Sequence, residues 1–243
     1  MKNLKGLEIK RLFEKEFGVI PCREKTLYIL LGVLGDFDSF EFMQLLLANL
    51  KGFKKLGLDF YVIGIGDSRS KEYFCKYTKL PNEFLRVVEN NLIHNKLDLD
   101  NGLTLPISPL LNIILMCMGI HSEGTLKEVL RGYTGDRSGP QLFSNNDKIS
   151  FFNRISFGAE LFNILGDKGF LRPFELASLR LMNMTEVISY WNIYMKYNLF
   201  LTQRSGTFLL DSSQKLLYSY RSKALLDFAE NMSNPMEFLY NSE

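Results

Sequence analysis

The chain has 243 residues, 46% of them apolar and 23% charged, with a formal net charge of +2. That length can bury a sizeable core, and the composition is that of a globular protein rather than a disordered or fibrous one. With lysines scattered among acids, as in LKGLEIKRLFEKEF, there is no concentrated basic face for nucleic acid.

The opening residues 3–17 fit a charged amphipathic helix anchored by Leu4, Leu12, Phe13 and Phe17, which Pro21 ends. They are too charged for a secretory leader, and their acids are unlike a transit peptide. Thr26 to Val33 is a near-continuous apolar run, as a strand buried on both faces requires. It runs into Asp36, Phe37, Asp38 and Ser39, where a short carboxylate can cap the next helix by accepting from its free N–H groups. Phe42, Leu45, Leu46, Leu50 and Phe53 give that helix its apolar side, and Gly57 stops it.

DFYVIGIG at 59–66 is a second strand, so the unit is βαβ with parallel strands and a right-handed crossover. A short helix over 68–77, a brief extended stretch at 84–88 and a helical turn at 90–97 follow. From about 106 to 198 strand signals are absent. Helices are expected at 109–118, 124–132, 150–165 and 174–195, with a loop at GYTGDRSGPQ. Ile107 to Ile120 is much shorter than the roughly 20 residues a spanning helix needs, so no membrane span is expected. GTFLLD (206–211) and KLLYSYR (215–221) predict an antiparallel hairpin, and Ala224 to Tyr240 an amphipathic closing helix.

The order βαβα, helical block, ββα predicts an α/β thioredoxin-like fold. It is expected as one domain over 1–243, with a helical insertion at about 104–198. The strand-to-helix corner at 26–42 is where α/β proteins place chemistry.

Several motifs compete for that chemistry. DFDSF resembles the DxDxT opening of haloacid-dehalogenase-type phosphatases, but Phe40 replaces the Thr, and GDSRSK ends in Lys71 where an Asp is needed. Helix capping is the better reading, with Asp36, Asp38 and Asp67 left as a weak divalent-metal candidate. GIGDSR lacks the third glycine of a dinucleotide loop, having Arg69 there. No cofactor is expected. His94 lies on a polar stretch and His121 in a helix-to-helix turn, and the sequence places neither with a serine or cysteine as a catalytic pair. Trp191, Tyr190, Tyr194 and Tyr197 read as core, with a docking surface for a partner as the alternative. Three cysteines, Cys22, Cys75 and Cys117, form no CxxC, and their odd number argues for a reducing compartment.

TLYILLGVLGDFDSFEFMQLL, DFYVIGIGDSRSKEYFCKYTKLP, NLIHNKLDL and QRSGTFLLDSSQKLLYSYR resemble, in order and spacing, the peroxiredoxin-like proteins of the AhpC/TSA class. RGYTGDRSGPQL and RPFELASLRLMNM extend the resemblance to longer cyanobacterial and plastid members. The resemblance implies a thioredoxin-like fold and a cysteine, often in a CxxC, at the corner. There the helix N-terminus lowers the thiol pKa and makes a nucleophile. Here Asp36 and Ser39 stand at the matching positions, and neither supplies a thiolate. Arg204 matches the arginine that supports the thiolate, and without one it is free to pair with Asp36 or Asp38. Cys75, in KEYFCKYT, is the remaining candidate nucleophile, with Lys71, Lys76 and Lys79 near it; a packed core thiol is the blander reading.

Two functions follow. One is a redox-inactive thioredoxin-fold protein that binds or scaffolds a protein partner in a photosynthetic cell's thylakoid machinery, peripherally attached, in the cytosol or stroma. The other is a divergent thiol antioxidant working through Cys75.

Overall fold

The computed structural model describes residues 6–49, 52, 57–152 and 154–241. Leu4, Leu50 and Phe53, expected as helix anchors, lie outside those residues. Helix α1 (Gly6–Phe17) leads into strand β1 (Lys25–Val33), helix α2 (Phe37–Ala48), strand β2 (Leu58–Ile65), helix α3 (Ser68–Thr78), strand β3 (Leu85–Val88) and a short helix α4 (Leu92–Lys96). The stretch expected as an insertion contributes α5 (Pro109–Cys117), α6 (Thr125–Thr134), β4 (Asp136–Pro140), β5 (Lys148–Phe151), β6 (Ile155–Gly158), β7 (Phe170–Leu171), α7 (Glu175–Ser189) and α8 (Trp191–Tyr194). Strands β8 (Gly206–Asp211) and β9 (Leu216–Arg221) and a terminal helical turn α9 (Phe238–Asn241) complete the order.

The main sheet has the order β3-β2-β1-β8-β9. The three N-terminal strands run parallel, β8 adds to β1 antiparallel, and β9 adds to β8 antiparallel at the sheet edge. This is the thioredoxin-like arrangement, and it makes β1 central. Alternation along β1 explains why: Leu27, Ile29 and Leu31 enter one core with α2 and α3. Tyr28 and Leu30 point the other way, into a second core with Ile9, Leu12 and Phe13 of α1. A strand buried on both faces can afford almost no polar residue, which is the pattern that made it legible.

Four expectations are corrected. Residues 150–165 are not a helix: β5 and β6 form a hairpin, and a 3-10 segment (Ala159–Ile164) follows. The GYTGDRSGPQ stretch is not all loop, since β4 pairs antiparallel with β7. The closing helix over 224–240 is absent except for α9. Leu226 has φ +57 there, and neighbouring backbone groups are taken by distant side chains. Ser122 Oγ accepts from Leu225 N at 2.7 Å, Thr125 Oγ1 donates to Leu225 O at 3.1 Å, and Asp38 Oδ1 accepts from Leu226 N at 2.8 Å. The insertion and the corner thus capture the groups a helix would have used for itself. The long helix expected at 174–195 also breaks at Tyr190, between α7 and α8.

Candidate functional site

The corner after β1 forms because Asp36, in extended conformation, caps α2: its side chain accepts from Asp38 N at 3.2 Å. Ser39 Oγ donates to Val33 O at 3.4 Å and is 2% exposed. The turn is tight against the segment that carries Arg204. A Cβ on Gly32 would lie 2.6 Å from Gln203 O, so only glycine lets β1 approach that backbone.

Arg204 is fully buried between the two carboxylates. Its Nη1 lies 3.0 Å from Asp38 Oδ2, and its Nη2 lies 3.7 Å from Asp36 Oδ2. Nε donates to Thr202 O at 2.7 Å, which fixes the guanidinium plane. Two acids share one cation here. Burial raises the pKa of Asp36 despite Arg204, and it raises Asp38 well above its ordinary value, with the neighbouring Asp36 adding to the effect.

A second polar line runs from the corner into the insertion. Glu41 and Gln44 of α2, three residues apart, meet Arg180 and Asn183 of α7, also three apart. Arg180 holds Glu41 with two hydrogen bonds, 2.7 and 3.1 Å, and donates to Glu128 O at 2.8 Å. The Gln44 and Asn183 amides exchange hydrogen bonds of 2.9 and 3.0 Å. Farther out, Arg172 and Glu175 form a fully buried pair at 2.7 Å. Its remaining donors and acceptors fasten Phe143 and Asn163.

Over the corner lies a cavity of about 910 Å³. Gly35, Asp36, Phe37 and Asp38 form one end, and α5, α6, the 151–165 segment and α7 supply the walls. The lining is almost wholly apolar, with Arg180 as the one basic residue among the described lining residues.

The cysteines are dispersed. Cys75 is 5% exposed in the core that contains Phe74 and Leu85. Burial pushes its thiol up to about 11, and Lys71 only partly offsets that. Cys117 is exposed and lines the cavity. Its thiol is raised by burial and by the negative charge of Asp38 and Asp36, the reverse of what activates a nucleophile. Cys22 is exposed, and Lys10 Nζ lies 3.4 Å from its sulfur.

The remaining sequence candidates are elsewhere. Asp67 caps α3 through Ser70 N and pairs with Lys196 at 2.8 Å. Among the described residues no group of three His, Cys, Asp or Glu side chains is placed to hold a metal ion. His94 is buried, donating from Nε2 to Leu31 O at 2.7 Å where the β1–β2 register slips. Its Nδ1 has no partner, and burial lowers its pKa to about 4. His121 is a surface residue 3.5 Å from Asp100. The aromatic cluster divides: Tyr194 is in the core, whereas Trp191 is on the cavity wall. Among the described residues no helix is long and apolar enough to cross a membrane.

Sequence reasoning missed Glu41, Gln44, Arg180, Asn183 and the cavity. The signal was present in FEFMQLLL and ASLRLMNM, where polar residues three apart interrupt otherwise apolar helix faces.

Searches of curated proteins and of solved structures find no match to this chain. A family profile described as AhpC/TSA antioxidant enzyme matches residues 46–224. The match takes in Cys75, the insertion, Arg204 and the β8–β9 hairpin, and it starts beyond Asp36 and Ser39. Covering well over half of the sequence, together with a thioredoxin-like sheet, it establishes that this chain belongs to the AhpC/TSA antioxidant enzyme family.

Proposed function

We propose that this chain is a binding member of its family, one that does not turn over peroxide through a thiol. One observation carries the reading: Asp36 and Asp38, joined by Arg204, fill the helix N-terminus where a peroxidatic thiolate would be stabilised. A carboxylate there cannot attack a peroxide oxygen and be regenerated by thiol exchange. The alternative nucleophile, Cys75, is sealed among core side chains with a raised pKa, so it lacks both access and thiolate character.

In this reading the chain is one thioredoxin-like unit over 1–243 with an insertion at about 104–198, and the insertion supplies the binding function. A protein partner in the thylakoid or wider photosynthetic machinery, met in a reducing cytosol or stroma, has support only from the resemblance of the RGYTGDRSGPQL and RPFELASLRLMNM segments.

The test is consumption of hydrogen peroxide and of cumene hydroperoxide with a dithiol reductant, for the wild type, Cys75→Ser and Cys117→Ser. The expected rate matches the protein-free background in all three. Turnover well above background that either substitution abolishes would overturn the reading.

A further inference from the structure

The cavity over the corner has a definite chemistry. Its volume of about 910 Å³ is within the range of small-molecule sites, about 300–1,000 Å³. Its lining comes from the corner, α5, α6, the 151–165 segment and α7, so more than one element bounds it. Ile113 and Ile114 of α5 face Leu181, Met184 and Ile188 of α7 around the same space. A flat bilayer or protein surface would rest on the rim and leave that volume unfilled.

Charge narrows the occupant. Arg180 on the wall is neutralised by the bidentate Glu41 and by Glu128 at 3.6 Å. Asp36 and Asp38 at the cavity end are turned to Arg204, which is itself buried. Among the described lining residues no unpaired cation is left for an anionic head group. Ser178, Tyr133 and Trp191, whose side chains carry uncharged polar groups, are among the lining residues. An apolar wall with neutral polar points suits a ligand that is itself uncharged.

We propose that this cavity binds an uncharged apolar small molecule, of the class of long-chain alcohols. The inference deepens the binding reading above and rests on it.

The chain's one tryptophan, Trp191, is on the cavity wall and reports on its filling. Full-length protein is titrated with the neutral fluorophore N-phenyl-1-naphthylamine, monitoring energy transfer from Trp191. Hexadecanol and hexadecanoate then compete for the site at about pH 8, where the acid is ionised. Saturable uptake of one probe per chain is expected, with hexadecanol displacing it at about a tenfold lower concentration than hexadecanoate.

Leu181→Glu puts a charge into the apolar wall at a part-exposed position and should weaken uptake by about tenfold or more. Ile188→Glu is the second such variant, should the first unfold. Leu199→Glu, exposed and off the cavity, should bind as the wild type does.

The proposal is overturned by absence of saturable uptake, by hexadecanoate competing as well as the alcohol, or by wild-type uptake in both wall variants. It is also overturned if the wall is covered by a second copy, seen as a doubled mass that excludes the probe. Peroxide turnover with probe uptake intact would remove the reading of the corner and leave the ligand site in place.

Discussion

The Arg180 guanidinium grips the Glu41 carboxylate with hydrogen bonds of 2.7 and 3.1 Å, joining the insertion to the helix that starts at the corner. Glu41 is 1% exposed, so removing the cation strands a charge away from water. Arg180→Ala should therefore cost about 3–5 kcal/mol. Arg180→Met combined with Glu41→Leu should recover most of it, because the buried carboxylate goes too. Urea unfolding of the single and double variants measures both, and equal losses in the two would refute the pairing argument.

The aspartate pair makes a pH prediction. Burial raises Asp36 and Asp38 above the values the unfolded chain shows, about 3.9. The stability they contribute is complete below that value. It is lost as pH rises through their folded pKa, because the unfolded state has by then released its protons freely. Asp38→Asn keeps an oxygen for Leu226 N but does not titrate, so its stability should fall less steeply with rising pH than that of the wild type. Unfolding free energies measured from about pH 4 to 7 decide this, and identical slopes would count against it.

His94 acts with the opposite sign. Its folded pKa of about 4 is below an unfolded value near 6.5, so stability is lost as pH falls from about 6.5 towards 4. Over that window the loss should reach about 3 kcal/mol, from 1.36 kcal/mol per unit. His94→Gln can still donate to Leu31 O and should abolish this acid-side slope. A histidine ring resonance titrating near 6.5 in the folded protein and assigned to His94 would refute the buried neutral state.

Thiol access should divide the three cysteines. Cys22 and Cys117 are exposed and Cys75 is buried, so an aryl disulfide reagent should label Cys22 readily in the folded chain, Cys117 more slowly because its raised pKa leaves less thiolate, and Cys75 only with unfolding. Mass spectrometry of the labelled peptides checks the assignment. Fast labelling of Cys75 would reopen it as a nucleophile.

The main sheet was legible because β1, β2 and β8 are dictated by their own composition. An apolar run such as TLYILLGV has no other low-energy place than between two cores. The corner was legible for the same local reason, since Asp36 precedes a helix and can only cap or stay exposed. The 150–165 region misled because FFNRISFGAELFNIL carries apolar spacings that fit a helix, yet KISF and ISFG find each other as a hairpin. The 224–240 segment misled for a different reason. SKALLDFAENM has the right periodicity, but Ser122, Thr125 and Asp38 bind its backbone from far along the chain. Nothing within the segment announces that competition. The cavity was invisible for the same cause, being assembled from the corner, several stretches between 110 and 195, and Leu201, Leu225 and Leu226.

The Asp36–Arg204–Asp38 cluster also bears on how the protein would weather an oxidising burst. Thiol peroxidases are vulnerable at their own centre, where excess peroxide drives the cysteine to acids that cannot be reduced. Carboxylates and a guanidinium have no such ladder to climb. Oxidant reaching this corner would instead find sulfur in the surrounding wall, at Cys117 and at the part-exposed Met184. Oxidation there would turn an oily lining polar, so damage would register first as a change in what the pocket holds.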